Sequence, residues 1–546
     1  MSRGRRGETR AVIASTIAIA ALIAMTAPAA LAAPAAPGEN AARITAEERI
    51  APRVVELTIS TPAFSTPTKV HVDLPTGYDD APTRRWPVSY FLAGTQNTYK
   101  SFNSVVDGVE LTKDYPSIVV SPNGDSGYWS DWYNDGAGGP PMYETYVIDQ
   151  LLPLIDAHFR TIADRAHRVL AGVSMGGYGA MMLAARHPDL FSAVSSISGA
   201  VDSNLPLNGA VLSLSSALQG GKRDAIYGPR LTQEVRWHGH NPADLTDNLR
   251  TLDLQVRTAN GKLNPGIGEN PLSADAASCV VETGVYQASV SLHDVLGKQG
   301  IPHLWKDYGD GCHTVPNFKR EIADTLGAFT ALLAHPAAEP KAFDYASIEP
   351  AFDVWGWHVA ADPNRPLEFL RLKNVRSAGL ALTGSGTTTV TTPPLFRGLR
   401  RVEVAGTGAT TSAVPDGQGR LRFRVDLGAP NPAQQYTAGS TTAQRTRTVS
   451  LRPVARLTVT RVRATGRSVR VCATAIGGKV TGRVRVTGAG GRALAGSTAL
   501  TARGREACRT LRRTSGAGTR ATVAVGGRDG YGHAVSVRRA VRLPAG

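Results

Sequence analysis

A short run of small residues between an apolar segment and a helical pattern constrains this chain more than any other feature. Residues 167–194 have the sequence HRVLAGVSMGGYGAMMLAARHPDLFSAV, in which Val169–Val173 has the length and composition of a buried strand. This strand runs directly into a Gly-x-Ser-x-Gly turn centred on Ser174, and a helical pattern follows that ends before His187. A strand, a sharp turn and a helix in this order lift the central serine above the edge of a sheet, with its hydroxyl exposed.

Two other structures also use closely spaced glycines. A dinucleotide-binding turn requires Gly-x-Gly-x-x-Gly in an early β-α-β unit, followed by an acidic residue about 20 positions later. The turn at Ser174 has a different spacing and follows the fifth predicted strand. Close packing of a helix on a strand is the second alternative. The motif alone has little specificity in a chain with 57 glycines among 546 residues, so it is the surrounding strand and helix that favour a nucleophile.

A nucleophilic serine needs a general base, and the base needs an orienting carboxylate. On a sheet of this kind the chain order is serine, acid, histidine. The segment YGDGCHTVPNF puts His313 after the last predicted strand and before the last predicted helix, where the base is required. The acid lies in or after the strand Leu252–Val256, and the sequence leaves four candidates, which are Asp253, Glu269, Asp275 and Glu282.

Short apolar runs alternate with helical patterns from residue 54 to about residue 333. This alternation predicts an α/β fold with a central, mostly parallel sheet of about eight strands covered by helices. The predicted strands are Val54–Ile59, Val70–Leu74, Val88–Leu92, Ser117–Val120, Val169–Val173, Ala193–Ile197, Leu252–Val256 and His303–Lys306. The predicted helices are Tyr143–Phe159, Gly177–His187, Val285–Lys298 and Phe318–Leu333.

The composition changes after a Pro- and Ala-rich linker at residues 336–342. We therefore expect the α/β domain at 43–335 and two all-β, sandwich-like modules at 343–450 and 451–546, the second immunoglobulin-like. The strand-like segments of the first module are FDVWGWHV, LEFLRL, GTTTVTT and RLRFRVDL. Those of the second are RLTVTRV, SVRVCA, GRVRVTG, ATVAVGG and AVSVRRAV.

The first 32 residues have the organisation of a signal peptide. Four arginines precede an apolar run at Ala11–Met25, and Ala30-Leu31-Ala32 supplies the small residues of a cleavage site. The apolar run is too short for a good membrane anchor, and no later stretch approaches the length of a transmembrane helix. The sequence therefore predicts a secreted protein with no transmembrane segment in the mature chain.

Cysteines in a secreted protein are expected to pair. The simplest arrangement of the four is one bridge in the α/β domain and one in the last module, namely Cys279 with Cys312 and Cys472 with Cys508. Strict strand alternation puts Cys472 on the face of Arg470, opposite its valine neighbours, unless a bulge intervenes.

The net charge of +16 is concentrated at the C-terminal end. Residues 451–546 hold 20 Lys and Arg against two Asp and Glu, whereas the remainder holds 40 against 42. Nineteen of the 20 are arginines without interleaved aromatic residues, so nucleic-acid binding is not predicted. A basic surface for a polyanionic cell-wall polymer is one hypothesis, and solvated strand faces rich in arginine through codon bias are the alternative. The metal-site patterns His-Glu-x-x-His, paired Cys-x-x-Cys and calcium loop are absent, so we expect no metal and no cofactor.

Between about Val88 and Ala334 the chain resembles the antigen 85 mycolyltransferases and the wider esterase D-like group of the α/β-hydrolase superfamily. The resemblance rests on FLAGTQN, VVSPNGDSGYWSDWY, VLAGVSMGG with AARHPDLF, YGPR with WHGHNPADL, and GCHTVPNFKREI. The SDWY segment at Ser130–Tyr133 and its spacing to Ser174 are the most specific of these. The resemblance covers only the catalytic half, and the C-terminal β modules lie outside it.

The resemblance implies a covalent acyl-enzyme mechanism and assigns the roles. Ser174 is then the nucleophile, Glu282 the orienting acid and His313 the base, with Glu282 preceding His313 by 31 residues, close to the spacing in the family. The oxyanion hole is formed by the backbone N–H groups of Thr95 and Met175.

Substrate recognition is less clearly indicated. The candidate substrate-binding residues are Asn97, Asp131 and Trp132, and the aromatic residues Trp129, Trp132 and Tyr133 either line the pocket or belong to the core. The family's mycolyltransferases carry an acidic residue and arginines near the oxyanion loop that serve trehalose. Ala93 and Thr95–Asn97 occupy those positions here, so trehalose is not implied as the acceptor.

The expected function is that of a secreted serine esterase or acyltransferase acting on acyl esters. One alternative is mycolyl-type acyl transfer to a sugar or glycerol. The other is a non-catalytic cell-wall-binding protein on a hydrolase fold, against which the intact set of serine, acid and histidine argues.

Overall fold

A computed structural model of the chain describes residues 42–272, 276–408, 411–465, 467–488, 491–514 and 519–544. The predicted signal peptide at residues 1–32 and the acid candidate Asp275 lie outside these ranges. None of the helices in the described ranges combines the length and the apolar character that a membrane span requires.

Residues 43–334 form one nine-stranded sheet with helices around it. Its strands are β1 (Arg43–Ala51), β2 (Val54–Ser60), β3 (Thr68–Asp73), β4 (Val88–Leu92), β5 (Ile118–Pro122), β6 (Arg168–Val173), β7 (Ala193–Ile197), β8 (Asp253–Thr258) and β9 (Leu304–Asp307). The spatial order is β1-β2-β3-β5-β4-β6-β7-β8-β9. The pairs among β1, β2, β3 and β5 are antiparallel, and every pair from β5–β4 to β8–β9 is parallel. This is the α/β-hydrolase fold that the sequence predicted.

The helices follow the strands in alternation, as parallel connections require. They are α1 (Ser101–Ser104), α2 (Gly108–Leu111), α3 (Tyr143–Thr145), α4 (Leu152–His158), α5 (Met175–Arg186), α6 (Pro206–Ser215), α7 (Arg230–His240), α8 (Thr246–Leu249), α9 (Ala276–Lys298) and α10 (Val315–Ala334). A π-helical turn at Tyr146–Leu151 joins α3 to α4.

The central parallel strands β4 to β8 are buried on both faces, which explains their continuous apolar runs. In β6, Val169 and Val173 belong to the hydrophobic cluster that contains Phe329 of α10. The intervening Leu170 belongs to the larger cluster on the other face. Alternate residues of one strand therefore anchor helices on opposite sides of the sheet.

The sequence missed the first strand of the sheet and misplaced the start of the last. Strand β1 has the sequence RITAEERIA and is almost entirely exposed. It pairs with β2 through its backbone, so it carries no apolar alternation from which a strand could be predicted. The last strand begins at Leu304, so His303 precedes it rather than lying inside it as predicted.

The C-terminal region consists of antiparallel sheets, as the sequence predicted. Strands between Phe343 and Pro453 form a six-stranded sheet, β10-β13-β14-β19-β16-β17, and a four-stranded sheet, β11-β12-β15-β18. Their bounds are β10 (Phe343–Ser347), β11 (Ala351–Val354), β12 (Trp357–Ala360), β13 (Leu370–Arg376), β14 (Gly379–Gly384), β15 (Thr387–Thr391), β16 (Val402–Ala405), β17 (Thr411–Ala413), β18 (Arg422–Asp426) and β19 (Arg445–Pro453). The segment predicted as one strand, FDVWGWHV, is a hairpin, because Trp355 and Gly356 both have positive φ.

The remaining strands form a three-stranded sheet, β20-β21-β24, and a four-stranded sheet, β23-β22-β25-β26. They are β20 (Arg456–Ala464), β21 (Ser468–Ile476), β22 (Val480–Thr487), β23 (Ala493–Ala502), β24 (Ala507–Arg512), β25 (Thr519–Asp529) and β26 (Ala534–Leu543). The sequence prediction lacked β23 and β24. The domain boundaries at 335, 342 and 450 stay predictions, and β19 continues past residue 450.

Both predicted disulfides are formed. Cys472 of β21 lies directly opposite Cys508 of β24, and the register between these two strands is regular, so no bulge is needed for the bond. Cys472 is buried even though it shares a strand face with the exposed Arg470.

Strand β10 is packed against the α/β body, which the linker pattern did not predict. Ala346 exchanges two hydrogen bonds with the side chain of Asn248 on α8, at 2.7 and 2.9 Å. The hydroxyl of Tyr345 donates to the carbonyl oxygen of Arg186 at the end of α5, 2.6 Å away. Ile348 and Phe369 belong to the hydrophobic core of the α/β body.

Candidate active site

Ser174 lies at the turn between β6 and α5 with an unusual backbone. Its φ is 58° and its ψ is −120°, a conformation that side-chain-bearing residues rarely adopt. Its backbone N–H donates to the carbonyl oxygen of Ile197 at the end of β7, 2.9 Å away, which fixes the turn to the neighbouring strand. The residue is partly exposed between buried neighbours. A strained turn of this kind directs a serine hydroxyl away from the sheet.

The two glycines of the motif are required by close contacts. A Cβ atom at Gly172 would lie 2.2 Å from the carbonyl oxygen of Gly176. A Cβ atom at Gly176 would lie 2.0 Å from the carbonyl oxygen of Leu92 in β4. Both distances are impossible for real atoms, and the obstructing atoms are backbone. The tight turn at Ser174 therefore depends on glycine at both positions.

Residues of the candidate site gather where four parallel strands end. Thr95 follows β4, Ser174 follows β6, Ser198 follows β7 and Ala259 follows β8. Parallel strands present their carboxyl ends at the same edge of a sheet, and ligand sites of α/β folds form there. The sheet order therefore brings these chain positions to one edge although they are far apart in sequence.

His313 and Glu282 form a short hydrogen-bonded pair at this edge. The imidazole Nδ1 lies 2.6 Å from Oε2 of Glu282. The carboxylate is fully buried, and the imidazole is 13% exposed. Because a carboxylate only accepts, Nδ1 donates and Nε2 is left to act as a proton acceptor. The ring packs edge-on against Phe318 at 4.8 Å between centroids.

Three further groups donate to Oε1 of Glu282. They are the hydroxyl of Ser198 at 2.7 Å, the backbone N–H of Ala259 at 3.0 Å and the hydroxyl of Thr258 at 3.3 Å. Charge-assisted hydrogen bonds of this kind stabilise a carboxylate that water does not reach. The orientation of Glu282 is thereby set by the ends of β7 and β8.

The other described acid candidates lie elsewhere. Glu269 is buried and accepts from the backbone N–H of Cys312 and from the hydroxyl of Thr314, on either side of His313. It braces the loop and has no hydrogen bond to the imidazole among the described contacts. Asp253 is exposed and accepts from Gln255.

The first disulfide links the two segments that carry His313 and Glu282. Cys279 lies on α9 three residues before Glu282, and Cys312 directly precedes His313. The bond therefore limits the separation of the helix that carries the acid from the loop that carries the imidazole.

The predicted oxyanion donors flank Ser174. Met175 is the first residue of the 12-residue helix α5. A Cβ atom at Gly94 would lie 3.3 Å from the Cβ of Ser174, so the loop with Thr95 passes beside the serine. Among the hydrogen bonds of the described residues, none uses the backbone N–H of Thr95 or Met175.

The three candidate substrate-binding residues do not share one cavity. Asn97 borders a small cavity of about 60 Å³ beside Gly94, Val173 and Phe318. Asp131 and Trp132 border a different cavity of about 510 Å³, which also contains Glu144 and Arg186.

Asp131 and Trp132 are bonded within the protein. The carboxylate of Asp131 accepts from the backbone N–H and hydroxyl of Thr145, and the indole of Trp132 donates to the carbonyl oxygen of Gly127. Burial, with a contribution from the charge of Glu144, raises the pKa of Asp131 to about 6. Of the other two aromatic candidates, Trp129 is fully buried and belongs to the core, whereas Tyr133 borders the same cavity as Trp132.

Sequence reasoning missed two buried polar residues beside Glu282, namely Ser198 and Glu321. Ser198 has a positive φ of 44° directly after β7, and Glu321 lies inside α10. A glutamate on the apolar side of a helical pattern was the available signal for Glu321.

One group of potential metal-binding side chains occurs among the described residues. It consists of Cys472, Glu506 and Cys508. Both sulfur atoms belong to the disulfide, so the group offers a metal only the carboxylate.

Comparison with known proteins places the α/β part in a family. A family model described as "Putative esterase" matches residues 61–329. An esterase of Mycobacterium tuberculosis (strain H37Rv) is 32% identical over 271 residues, which are 48% of this chain and 56% of that protein. The diacylglycerol acyltransferase/mycolyltransferase Ag85B of Mycobacterium leprae is 31% identical over 239 residues, which are 42% of this chain and 70% of that protein.

A solved structure of MPT51 from Mycobacterium tuberculosis is 19% identical and covers 53% of this chain and 99% of its own, with a TM-score of 0.41. The fold and the site geometry define an α/β-hydrolase. The chain belongs to the esterase family that includes these mycobacterial esterases and acyltransferases, which confirms the resemblance of the catalytic half. The match spans little more than half of the Mycobacterium tuberculosis esterase.

Proposed function

We propose that this protein is a secreted serine esterase or acyltransferase that acts on acyl esters through Ser174, His313 and Glu282. The observation that carries the proposal is the 2.6 Å contact between His313 Nδ1 and the buried Glu282. It lies at the same edge of the sheet as Ser174, whose turn is strained. Because Nδ1 donates to the carboxylate, Nε2 is the ring nitrogen that can accept the serine proton.

In the proposed reaction the Ser174 hydroxyl oxygen attacks the ester carbonyl carbon while its proton moves to Nε2 of His313. The tetrahedral intermediate collapses, the bond to the alcohol breaks, and the alcohol leaves with the proton from His313. Water or a second alcohol then attacks the acyl-enzyme with His313 again accepting and returning a proton. Glu282 stabilises the imidazolium at each stage and keeps its own charge.

The backbone N–H groups of Thr95 and Met175 are the proposed oxyanion donors. Two features support this assignment, which are their positions beside Ser174 and the start of helix α5 at Met175. The positive end of a helix dipole favours a developing negative charge. Removal of one oxyanion-hole donor typically costs about 3 to 4 kcal/mol of transition-state stabilisation.

The small cavity bordered by Gly94 and Val173, which adjoin Ser174, favours short acyl groups. Its volume is about 60 Å³, and its lining is mostly apolar, with Phe91, Phe102, Val105 and Phe318 among the residues. A pocket this small accommodates a short acyl group more readily than a long chain. We therefore expect acetyl and butyryl esters to react faster than long-chain esters.

Acyl transfer to a sugar or glycerol is the second candidate. The observation in its favour is the relationship to proteins named diacylglycerol acyltransferase/mycolyltransferase. Hydrolysis and transfer share every step up to the acyl-enzyme and differ only in the acceptor.

We further propose that the protein works outside the cytoplasm, because two disulfides are typical of an oxidising compartment. The last β module exposes arginines such as Arg470, Arg483, Arg485 and Arg538, which supports binding to a cell-wall polyanion. Co-sedimentation with isolated cell walls at low and high salt tests this. Equal sedimentation at both salt concentrations, or none, would favour solvated strand faces instead.

The test of the main proposal compares the wild type with Ser174→Ala. We expect a fluorophosphonate probe to label the wild type and not the variant, and p-nitrophenyl ester hydrolysis to depend on Ser174. Folded wild-type protein that neither reacts with the probe nor cleaves any ester would instead support a non-catalytic binding protein. Adding glycerol or trehalose to the ester assay separates the candidates, because only a transferase forms an acylated acceptor.

A further inference from the structure

A second buried carboxyl group lies behind the Glu282–His313 pair. Glu321 of α10 is fully buried, as Glu282 is. Its Oε1 accepts a hydrogen bond from the side-chain amide of Asn317, one helical turn earlier, at 3.0 Å. The proposed reaction assigns no role to Glu321, and a buried carboxyl without a cationic partner is costly unless it is neutral.

The hydroxyl of Ser198 lies between the two carboxyl groups. Its Oγ is 2.7 Å from Oε1 of Glu282, and 3.2 and 3.3 Å from the two carboxyl oxygens of Glu321. A serine hydroxyl has one proton to donate. The shorter contact indicates that the Ser198 hydroxyl donates its proton to the hydrogen bond with Glu282. A hydrogen bond between Ser198 and Glu321 then requires a proton on the Glu321 carboxyl group.

The charges around Glu321 agree with a protonated carboxyl. Burial raises the pKa of Glu321 well above its usual range, and the neighbouring charge of Glu282 raises it further. Arg320 is the nearby cation, but its guanidinium donates to the side-chain oxygen of Asn317 and to the carbonyl oxygen of Asp310. The charged groups facing Glu321 are thus one carboxylate and one arginine that is bonded elsewhere.

We propose that Glu321 is a positioning residue that remains a neutral acid and donates a hydrogen bond to Ser198. Ser198 in turn donates a hydrogen bond to Glu282, and Glu282 orients His313. This inference rests on the proposed function of His313 and Glu282. Hydrogen bonds arranged in such a chain strengthen one another in a buried environment. The chain would hold the Glu282 carboxylate in place and give the site one negative charge instead of two.

Two substitutions at Glu321 separate this role from simple packing. Glu321→Gln has nearly the shape of the protonated acid and can still donate to Ser198 and accept from Asn317. Glu321→Met fills similar space but cannot donate. We expect the Gln variant to keep more than about a third of the wild-type kcat/KM, and the Met variant to lose about tenfold in kcat with KM within about twofold, because small displacements of catalytic groups slow the reaction steeply.

The coupling to Ser198 and the pH profile supply readouts that a structural role would not change. The loss in Glu321→Met should not add to the loss in Ser198→Ala, because both break the same chain. The acidic limb of the kcat/KM profile should stay in place in Glu321→Gln. A displacement of that limb by a pH unit or more would mean that Glu321 carries a charge, and wild-type kinetics in Glu321→Met would mean that it only fills space. Either result overturns the proposal.

Two further measurements do not depend on activity and use the full-length protein. Two infrared difference spectra are recorded at pH 7, wild type minus Glu321→Gln and Ser174→Ala minus Glu321→Gln. Both should show the carbonyl band of a neutral carboxylic acid, because the Gln variant lacks that band. The Nδ1–H proton resonance of His313 should persist in Glu321→Gln and broaden in Glu321→Met. If no ester is cleaved, the proposed function fails while these spectra still decide the state of Glu321, and absence of the band overturns the inference even in an active enzyme.

Discussion

Replacing Glu282 by glutamine should remove most of the activity while leaving the fold intact. In the wild type, Oε1 of Glu282 faces the Ser198 hydroxyl at 2.7 Å and the Ala259 N–H at 3.0 Å, both donors. An amide NH₂ turned toward these donors would leave buried groups unpaired, at about 1 to 3 kcal/mol each. The glutamine carbonyl oxygen is therefore expected at the Oε1 position, and its NH₂ at the position that now faces His313.

This orientation would reverse the tautomer of His313. The NH₂ group would donate to Nδ1, which lies 2.6 Å from the replaced atom, so the single proton of the neutral ring would move to Nε2. A protonated Nε2 cannot accept the proton of Ser174. By analogy with the same change in serine proteases, we expect kcat/KM to fall by about 10³ to 10⁴-fold, which corresponds to about 4 to 5.5 kcal/mol in activation free energy.

The assay is steady-state hydrolysis of p-nitrophenyl butyrate by wild type and Glu282→Gln, with circular dichroism to establish folding. Glu269→Gln is the matched control, because Glu269 is also buried and bonds the residues on either side of His313. In the control one NH₂ hydrogen would face the N–H of Asn264, so stability should fall while kcat/KM falls less than about tenfold. A folded Glu282→Gln enzyme within tenfold of the wild type would refute the assignment of Glu282 as the orienting acid.

Two other predictions concern stability. The double variant Cys279→Ser/Cys312→Ser removes a bridge that spans 33 residues, and the chain-entropy model gives a loss of about 3 to 4 kcal/mol in the free energy of unfolding. Urea denaturation measures this loss, with Cys472→Ser/Cys508→Ser as the control. An unchanged denaturation midpoint would contradict the prediction. Burial, with the nearby charge of Arg186, lowers the pKa of His240 to about 4. Between about pH 6.5 and pH 4 this histidine is therefore protonated in the unfolded chain and neutral in the folded protein. The stability contributed by neutral His240 should therefore be complete above pH 6.5, and the free energy of unfolding should fall by up to about 3 kcal/mol as the pH drops to 4. Urea denaturation across this pH range should find a smaller fall in His240→Asn. If the histidine were solvated, the wild type would not show this contribution.

Much of the fold was predictable because its signals are local. The apolar runs of β4 to β8 reflect burial on both faces, and their spacing from the helical patterns is enough to predict an α/β sheet. Two of the strands that the sequence missed lack those signals. Strand β1 is charged and exposed on the sheet edge, and β23 is rich in Ala, Gly, Ser and Thr. Their pairing depends on backbone hydrogen bonds to a neighbouring strand rather than on their own apolar pattern.

The candidate site shows the same division. Ser174 and His313 were located by their sequence context, since the turn around one requires glycines and the other follows the last strand. The acid was open among four residues until a family resemblance favoured Glu282. In the structure Glu282 meets the imidazole, and Glu269 braces its loop. Apart from that resemblance, nothing in the sequence separates these two roles, because both residues follow the same strand and lie before the same histidine.

The sequence by itself predicted the serine turn, the alternation of strands and helices and the basic C-terminal end, since each depends on residues close together in the chain or on composition. The cysteine pairs, 33 and 36 residues apart, followed only as the simplest arrangement of four cysteines. Only the tertiary structure decided which side chains share the edge of the sheet. The contacts among Ser198, Glu282 and Glu321 depend on β7 lying beside β8 and on α10 packing across both. Strand order and helix packing are set by the burial of the whole core. The contact between Ser198 and Glu282, more than 80 residues apart in the chain, is a consequence of that packing.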